Sequence, residues 1–336
     1  MIITQKHSFL IRRSVSFQLA VGCSLTGFAQ AGGFDLTSPD GLVHCQISTD
    51  AEGQLVYTII QGGQLRLAPA RAGVILDHVD LGAKVVLGEP QTRSISELFP
   101  WRGNKTTATN ICRVTEIPIR TPAGVDWVLE TRLFDDGVAF RYRVPGTGSR
   151  RVQGEATCWQ LPKDSTVWVQ TDTVNYEGVY QSTRADQMPL EKEVRQKKQP
   201  VYVGMPMTIA YADGSFGLIN EAALYKYSGM TLRPEGNAKW RAAFEDDPNG
   251  WMNEGAIVSP WRVIVLSKDL NGLVNSDVIA SLCEPPDPTL FPAGLETPWL
   301  RPGKAPRTWA VFGNDGPQWE RQKWFVDVAA ATGCEY

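Results

Sequence analysis

Phe134-Asp135-Asp136-Gly137-Val138-Ala139-Phe140-Arg141-Tyr142 is the stretch on which the fold turns. Residues 129–134 before it and 138–144 within and after it are rich in branched and aromatic side chains, the composition of strands. Asp-Asp-Gly between them is turn chemistry, so the segment predicts an antiparallel hairpin in which Gly137 supplies a positive φ. The pattern repeats outward in both directions. Residues 54–60 follow Asp50-Ala51-Glu52-Gly53, and residues 208–211 and 216–219 flank Ala212-Asp213-Gly214-Ser215. Residues 261–266 make a further apolar strand that Asp269-Leu270-Asn271-Gly272 should end. Between residues 34 and 282 no long stretch has helical periodicity. Many short strands joined by tight turns predict a large antiparallel β-sandwich rather than a parallel α/β sheet.

The texture changes near residue 284. Glu284-Pro285-Pro286-Asp287-Pro288 and Phe291-Pro292-Ala293-Gly294 form a proline-rich connector, which places a domain boundary at 284–296. Residues 307–312 then read as a strand. Residues 318–331 have helical spacing, with Trp324, Phe325, Val328 and Ala329 on one face and Gly333 positioned as a left-handed cap. Residues 334–336 read as the start of another strand. This is one βα unit, and a (β/α)₈ barrel needs roughly 200 residues or more.

Composition narrows the function classes. The 336 residues carry a net charge of −3, which gives no basic field for nucleic acid or an anionic membrane. At the amino terminus, Lys6, Arg12 and Arg13 precede the uncharged residues 14–28 and then Ala29-Gln30-Ala31. That order predicts an export signal over residues 1–31, and hence a periplasmic or extracellular protein with no transmembrane segment in the mature chain. Ala20-Val21-Gly22-Cys23 loosely resembles a lipoprotein box, but apolar sequence continues beyond Cys23. Past residue 31 the cysteines are Cys45, Cys112, Cys158, Cys283 and Cys334, widely spaced and odd in number, with no zinc spacing. Only His44 and His78 remain, too few for a Ser-His-Asp triad or a His-rich metal site. Hydrolytic chemistry would have to rest on carboxylates.

With its elements in this order the chain resembles glycoside hydrolase family 97. The resemblance rests on Leu36-Thr37-Ser38-Pro39-Asp40-Gly41, the 134–142 hairpin, Gly154-Glu155-Ala156-Thr157 and Asn175-Tyr176-Glu177-Gly178-Val179-Tyr180. It continues through Asn220-Glu221-Ala222-Ala223-Leu224 with Tyr227-Ser228-Gly229-Met230-Thr231-Leu232, then Ser259-Pro260-Trp261-Arg262-Val263-Ile264. Trp299-Leu300-Arg301-Pro302-Gly303-Lys304 and Phe325-Val326-Asp327-Val328-Ala329-Ala330 close the series. Each block is short, but their shared order over nearly the whole chain is specific. One departure is Trp309-Ala310, where the family has paired tryptophans.

The resemblance implies a galactose-mutarotase-like β-super-sandwich over residues 34–284, followed by the start of a catalytic barrel at 296–336. It also implies a secreted α-glucosidase or α-galactosidase type of enzyme acting on α-linked oligosaccharides, with calcium at the active site. Glu177 matches the family's calcium ligand from the sandwich; read as a residue alone, it is a loop carboxylate. Since calcium takes about six to eight oxygens, Glu177 could supply one at most. Glu221 is a candidate substrate-binding residue that could equally hydrogen-bond backbone within the sandwich. Glu155 reads as a structural or surface carboxylate, Trp261-Arg262 as an interdomain packing and ion-pair element, and Arg141-Tyr142 as strand surface. The family's catalytic carboxylates lie on later barrel strands, so none maps onto this chain, which is expected to be inactive alone. The rival expectation is a non-catalytic carbohydrate-binding β-sandwich.

Overall fold

The computed structural model describes residues 32–336. The predicted export signal over residues 1–31, with Cys23, lies outside the described residues.

Two antiparallel sheets face each other. The larger runs Gln181–Arg184, Thr166–Val169, Met207–Ala210, Phe216–Ala222, Trp261–Ser267, Gly137–Val144, Asp126–Phe134, Thr107–Arg120 and Val86–Leu87. The smaller runs Phe34–Thr37, Val43–Thr49, Leu55–Gln61, Gln64–Arg71, Cys158–Gln160, Lys239–Ala243 and Thr231–Gly236. A four-stranded sheet, ordered Trp251–Glu254, Ser149–Glu155, Val74–Leu76 and Val79–Asp80, lies beside them. The expected antiparallel β-sandwich is therefore what forms.

Its core is aromatic. Trp127, Trp159, Trp240, Tyr57 and Tyr142 are fully buried between the sheets with Ile47, Leu55 and Ile59. Rings of this kind each remove roughly 150–250 Å² from water, worth about 4–6 kcal/mol at ~25 cal/mol per Å². Tyr142, read from sequence as surface, is wholly inside. Its hydroxyl accepts from the Gly73 amide at 2.9 Å and bonds the Thr157 hydroxyl at 2.6 Å. Arg141 next to it is also mostly covered, bonded to the buried Glu130 at 2.8 Å. Both were misplaced because their strand is enclosed on two sides.

The second enclosing layer is a pair of short helices, Leu270–Asn275 and Val278–Leu282, which pack on the outer face of the larger sheet. Asp269 caps the first of them, its carboxylate accepting from the Gly272 amide at 2.8 Å. The stretch expected only to end a strand thus begins a helix. Sandwiched this way, every residue from Trp261 to Leu266 is buried. Alternate residues serve different layers. Ile264 and Leu266 join the core between the sheets, while Trp261, Val263 and Val265 join a second cluster under the helices.

The deciding hairpin forms, but for a different reason at Gly137. Phe134 pairs with Gly137, so Asp135 and Asp136 make the turn and Gly137 is already in the strand. A Cβ there would stand 2.8 Å from the Ile264 carbonyl oxygen. Glycine is needed for close approach of two strands, not for a positive φ.

The 212–215 hairpin carries a charge that can be followed in solution. Arg66 meets Asp213 at 2.9 Å, and the Ser215 hydroxyl donates to the same carboxylate at 2.5 Å. The Ser215 bonds, and then Arg66, hold the Asp213 carboxyl down to about 2 from an ordinary 3.8, against slight burial. A depressed folded-state value means stability gained above 3.8 and lost as pH falls towards 2. A carboxyl-carbon NMR titration is expected to give Asp213 a midpoint near 2, and a midpoint at 3.8 would show that these contacts do not persist.

Past residue 284 the expected helix is present as Trp319–Thr332, and Gly333 caps it with φ 69° and ψ 32°. Phe325 and Ala329 are its buried residues, whereas Trp324 is half exposed. The preceding segment departs from expectation: Thr308–Phe312 is a short helix, not a strand, and no strand forms at 334–336. Phe312 there packs edge-on against Trp324 and Phe325, with ring centroids 5.8 Å apart in both cases. An apolar run of this length fits strand or helix alike, and local packing against the next helix settles it. No helix among the described residues is long and apolar enough to cross a membrane, which says nothing of a β-barrel.

Candidate functional site

Glu177 sits in the loop joining the strands Thr166–Val169 and Gln181–Arg184. Asp172 organises that loop: its carboxylate accepts the Asn175 amide at 3.0 Å, and its carbonyl accepts the Tyr176 amide at 3.1 Å. The Asn175 amide foremost, helped by those of Glu177 and Val174, lowers the Asp172 carboxyl. Tyr176 takes a left-handed φ of 57°, which turns the next residue outward. The Glu177 side chain is exposed and makes no hydrogen bond or ion pair.

Tyr176 ties this loop to the second candidate. Burial raises its hydroxyl, and the charges of Glu221, Asp246 and Glu245 raise it further. Thr173 donates to Glu245 at 2.6 Å. The Glu177 loop, although distant in sequence, thus lies near enough to Glu221 for its charge to act on Tyr176.

Glu221 itself faces inward. Its Oε2 accepts from Arg262 Nη1 at 2.7 Å and its Oε1 from the Met230 amide at 3.2 Å. The register explains the first contact, because Glu221 and Arg262 are direct cross-strand partners. Arg262 has no exposed side-chain surface and also binds Glu155, Nη2 to Oε1 at 2.6 Å and Nε to Oε2 at 3.0 Å. Glu155 is equally enclosed, and it accepts from the Thr157 hydroxyl at 2.7 Å and the Tyr227 hydroxyl at 3.0 Å. Burial alone would lower the Arg262 guanidinium, but the Glu155 charge and bonds, with Glu221, leave it above its ordinary value. Trp261-Arg262 is therefore an ion-pair element as read, but one inside the sandwich. Glu155 is the structural carboxylate, not the surface one.

Sequence reasoning missed that these three charges form one network, and that Tyr227 completes it. A signal existed. An arginine set within an otherwise apolar, buried strand calls for a charged or hydrogen-bonding partner inside the protein. Which partner could not be read, since Glu155 is 107 residues away.

The oxygen donors fit calcium only in part. Glu177 offers a free, exposed carboxylate, the ligand type a hard cation takes. Among the described residues, no group of three or more His, Cys, Asp or Glu is placed to hold a metal.

Residues 36–285 match the family described as Glycosyl-hydrolase 97 N-terminal. The chain belongs to glycoside hydrolase family 97. It is 30% identical over 291 residues to a "Probable retaining alpha-galactosidase" of Streptomyces bingchenggensis, covering 84% of this chain and 42% of that protein. It is 24% identical to a "Retaining alpha-galactosidase" of Bacteroides thetaiotaomicron, covering 95% of this chain and 51% of that protein. A family 97 enzyme from Pseudoalteromonas sp. strain K8, solved in complex with acarbose, superposes with a TM-score of 0.72 at 23% identity. That match covers 90% of this chain and 46% of the other. The chain thus spans about half the length of the relatives it matches.

Proposed function

We propose that this chain is the sandwich-bearing portion of an exported α-glycoside hydrolase acting on α-linked oligosaccharides. The observation that carries the reading is family membership across residues 36–285, with a probable retaining α-galactosidase as a relative at 30% identity. α-Galactosides are the first substrate class to try, and α-glucosides the second. Export, to the periplasm or beyond the cell, rests on the basic and then apolar order of residues 1–31.

In this reading Glu177 gives one oxygen ligand to calcium at the sugar site, which accounts for an unpartnered carboxylate on a loop held by Asp172. Bound calcium would supply a fixed positive centre for oxygen ligands. Glu221, bonded to Arg262 and the Met230 amide but with 15% of its side chain exposed, is the proposed sugar-hydroxyl contact. The acid and the base or nucleophile are assigned by resemblance to barrel strands beyond these residues, and the 336 residues alone should not turn over substrate.

Two measurements test this. With calcium present, the 336-residue chain is expected to leave p-nitrophenyl α-galactoside and α-glucoside unhydrolysed, and turnover well above background would sink the assignment. In calorimetry, calcium should bind weakly, with a Kd of about 1 mM or above, and Glu177→Gln should abolish that binding. Tight binding indifferent to Glu177→Gln would place the cation elsewhere. The rival reading, a non-catalytic sugar-binding sandwich, is favoured by the cleft described next.

A further inference from the structure

A cleft of about 670 Å³ opens between residues 223–228 and the edge strand Trp251–Glu254, with Arg141 and Glu284 at its margin. None of residues 170–180 lines it, so it is separate from the Glu177 loop. Its volume is that of a small-molecule site, roughly 300–1,000 Å³.

The walls are of two kinds. Apolar surface comes from Tyr225, 56% exposed, Met252, 50% exposed, and the Trp251 indole. Trp251 is fixed edge-on against Tyr227, with ring centroids 4.6 Å apart. Tyr227 in turn is pinned by its hydroxyl to Glu155, and the loop's far end is pinned by the Met230 amide to Glu221. The buried Arg262 network thus holds the aromatic wall rigid before any ligand arrives, which lowers the ordering cost of binding.

The polar groups are unspent. Lys226, Asp247 and Glu254 have no ion-pair partner among the described residues, and the side-chain amide of Asn253 makes no hydrogen bond there. Ser228, 7% exposed in the same wall, has a hydroxyl without a partner. Cations and carboxylates share the rim, which disfavours a charged ligand of either sign. Hydroxyl groups suit it, since each can donate to a carboxylate and accept from an amide or guanidinium. The apolar face of a pyranose ring suits the exposed Tyr225.

We propose that this cleft binds a neutral saccharide of one or two glycosyl units, at a site distinct from the one holding Glu177. It rests on the function proposed above only for the choice of sugars. The test is titration of the full 336-residue chain with melibiose, maltose and, as a non-sugar polyol control, glycerol, followed by tryptophan fluorescence and by calorimetry. Saturable binding of a disaccharide, unchanged by EDTA, is expected. Tyr225→Ala and Glu254→Gln should each weaken it at least about tenfold, or 1.4 kcal/mol. Both side chains are exposed, so both variants should keep the parent circular dichroism and melting temperature. Glu177→Gln should leave the affinity as it is. No saturable binding of either disaccharide up to about 10 mM, or equal binding of glycerol, would overturn the proposal. So would binding that survives Tyr225→Ala and Glu254→Gln yet is lost in Glu177→Gln or EDTA, which would instead support the calcium-linked site. Binding at the cleft with no hydrolysis in any longer form of the protein would overturn the enzymatic reading and leave the cleft intact.

Discussion

Arg262→Met is expected to destabilise the folded protein by about 3–5 kcal/mol, read as a shift of the urea midpoint at unchanged m-value. Glu155 would be left fully enclosed with only the Thr157 and Tyr227 hydroxyls to solvate its charge. Removing one partner of a buried pair exposes the survivor to the whole desolvation penalty, whereas removing both does not. Glu155→Met combined with Arg262→Met is therefore expected to recover much of the loss, the remainder being the ion pair that Glu221 has also lost. The pair of variants separates a charge effect from a packing effect. If the double variant is as unstable as the single one, the arginine acts through its volume and its closeness to Phe244 and Tyr227, not through Glu155. Tyr227→Phe should cost about 1–2 kcal/mol, since it removes one donor from Glu155 and leaves the ion pair.

Trp261→Ala is expected to cost a similar amount, about 3–5 kcal/mol, through a different mechanism on the opposite face of the same strand. The indole is fully buried among Val263, Val265, Val278 and Leu282, where the short helices cover the sheet. Arg132 and Arg141 lie over its ring, 4.7 and 4.4 Å from the centroid. Both guanidiniums are held by the enclosed Glu130, at 3.7 and 2.8 Å. Cutting the ring away opens a cavity and removes two cation–π contacts, each worth about 0.5–2 kcal/mol. Thermal denaturation followed at two wavelengths would show the loss, and hydrogen exchange should speed up first in residues 270–282. A Tm within a degree or two of the parent would mean that the helices close over the gap.

These neighbours show how unevenly the chain is legible. The strand from Trp261 to Leu266 was readable as apolar and buried, but not as buried on two faces by two different layers. Period alone cannot say which side of a strand is covered when both are. Arg141 and Tyr142 were misjudged for the same reason. The segment 307–312 was misjudged for another: six residues of mixed apolar character fit strand and helix equally well, and Phe312 meeting Trp324 and Phe325 chose the helix.

The sequence by itself determined the antiparallel sandwich, its two most visible hairpins, the helix ending at Gly333 and membership of the family. All of these depend on local alternation, turn residues and motif order, which are written along the chain. Tertiary structure alone decided that Glu155, Glu221 and Arg262 form one buried network. It alone placed Glu221 beside the Glu177 loop, and set Tyr225 and Trp251 around one cleft. Such contacts join residues dozens to more than a hundred positions apart, and only sheet order and register bring them within hydrogen-bonding range.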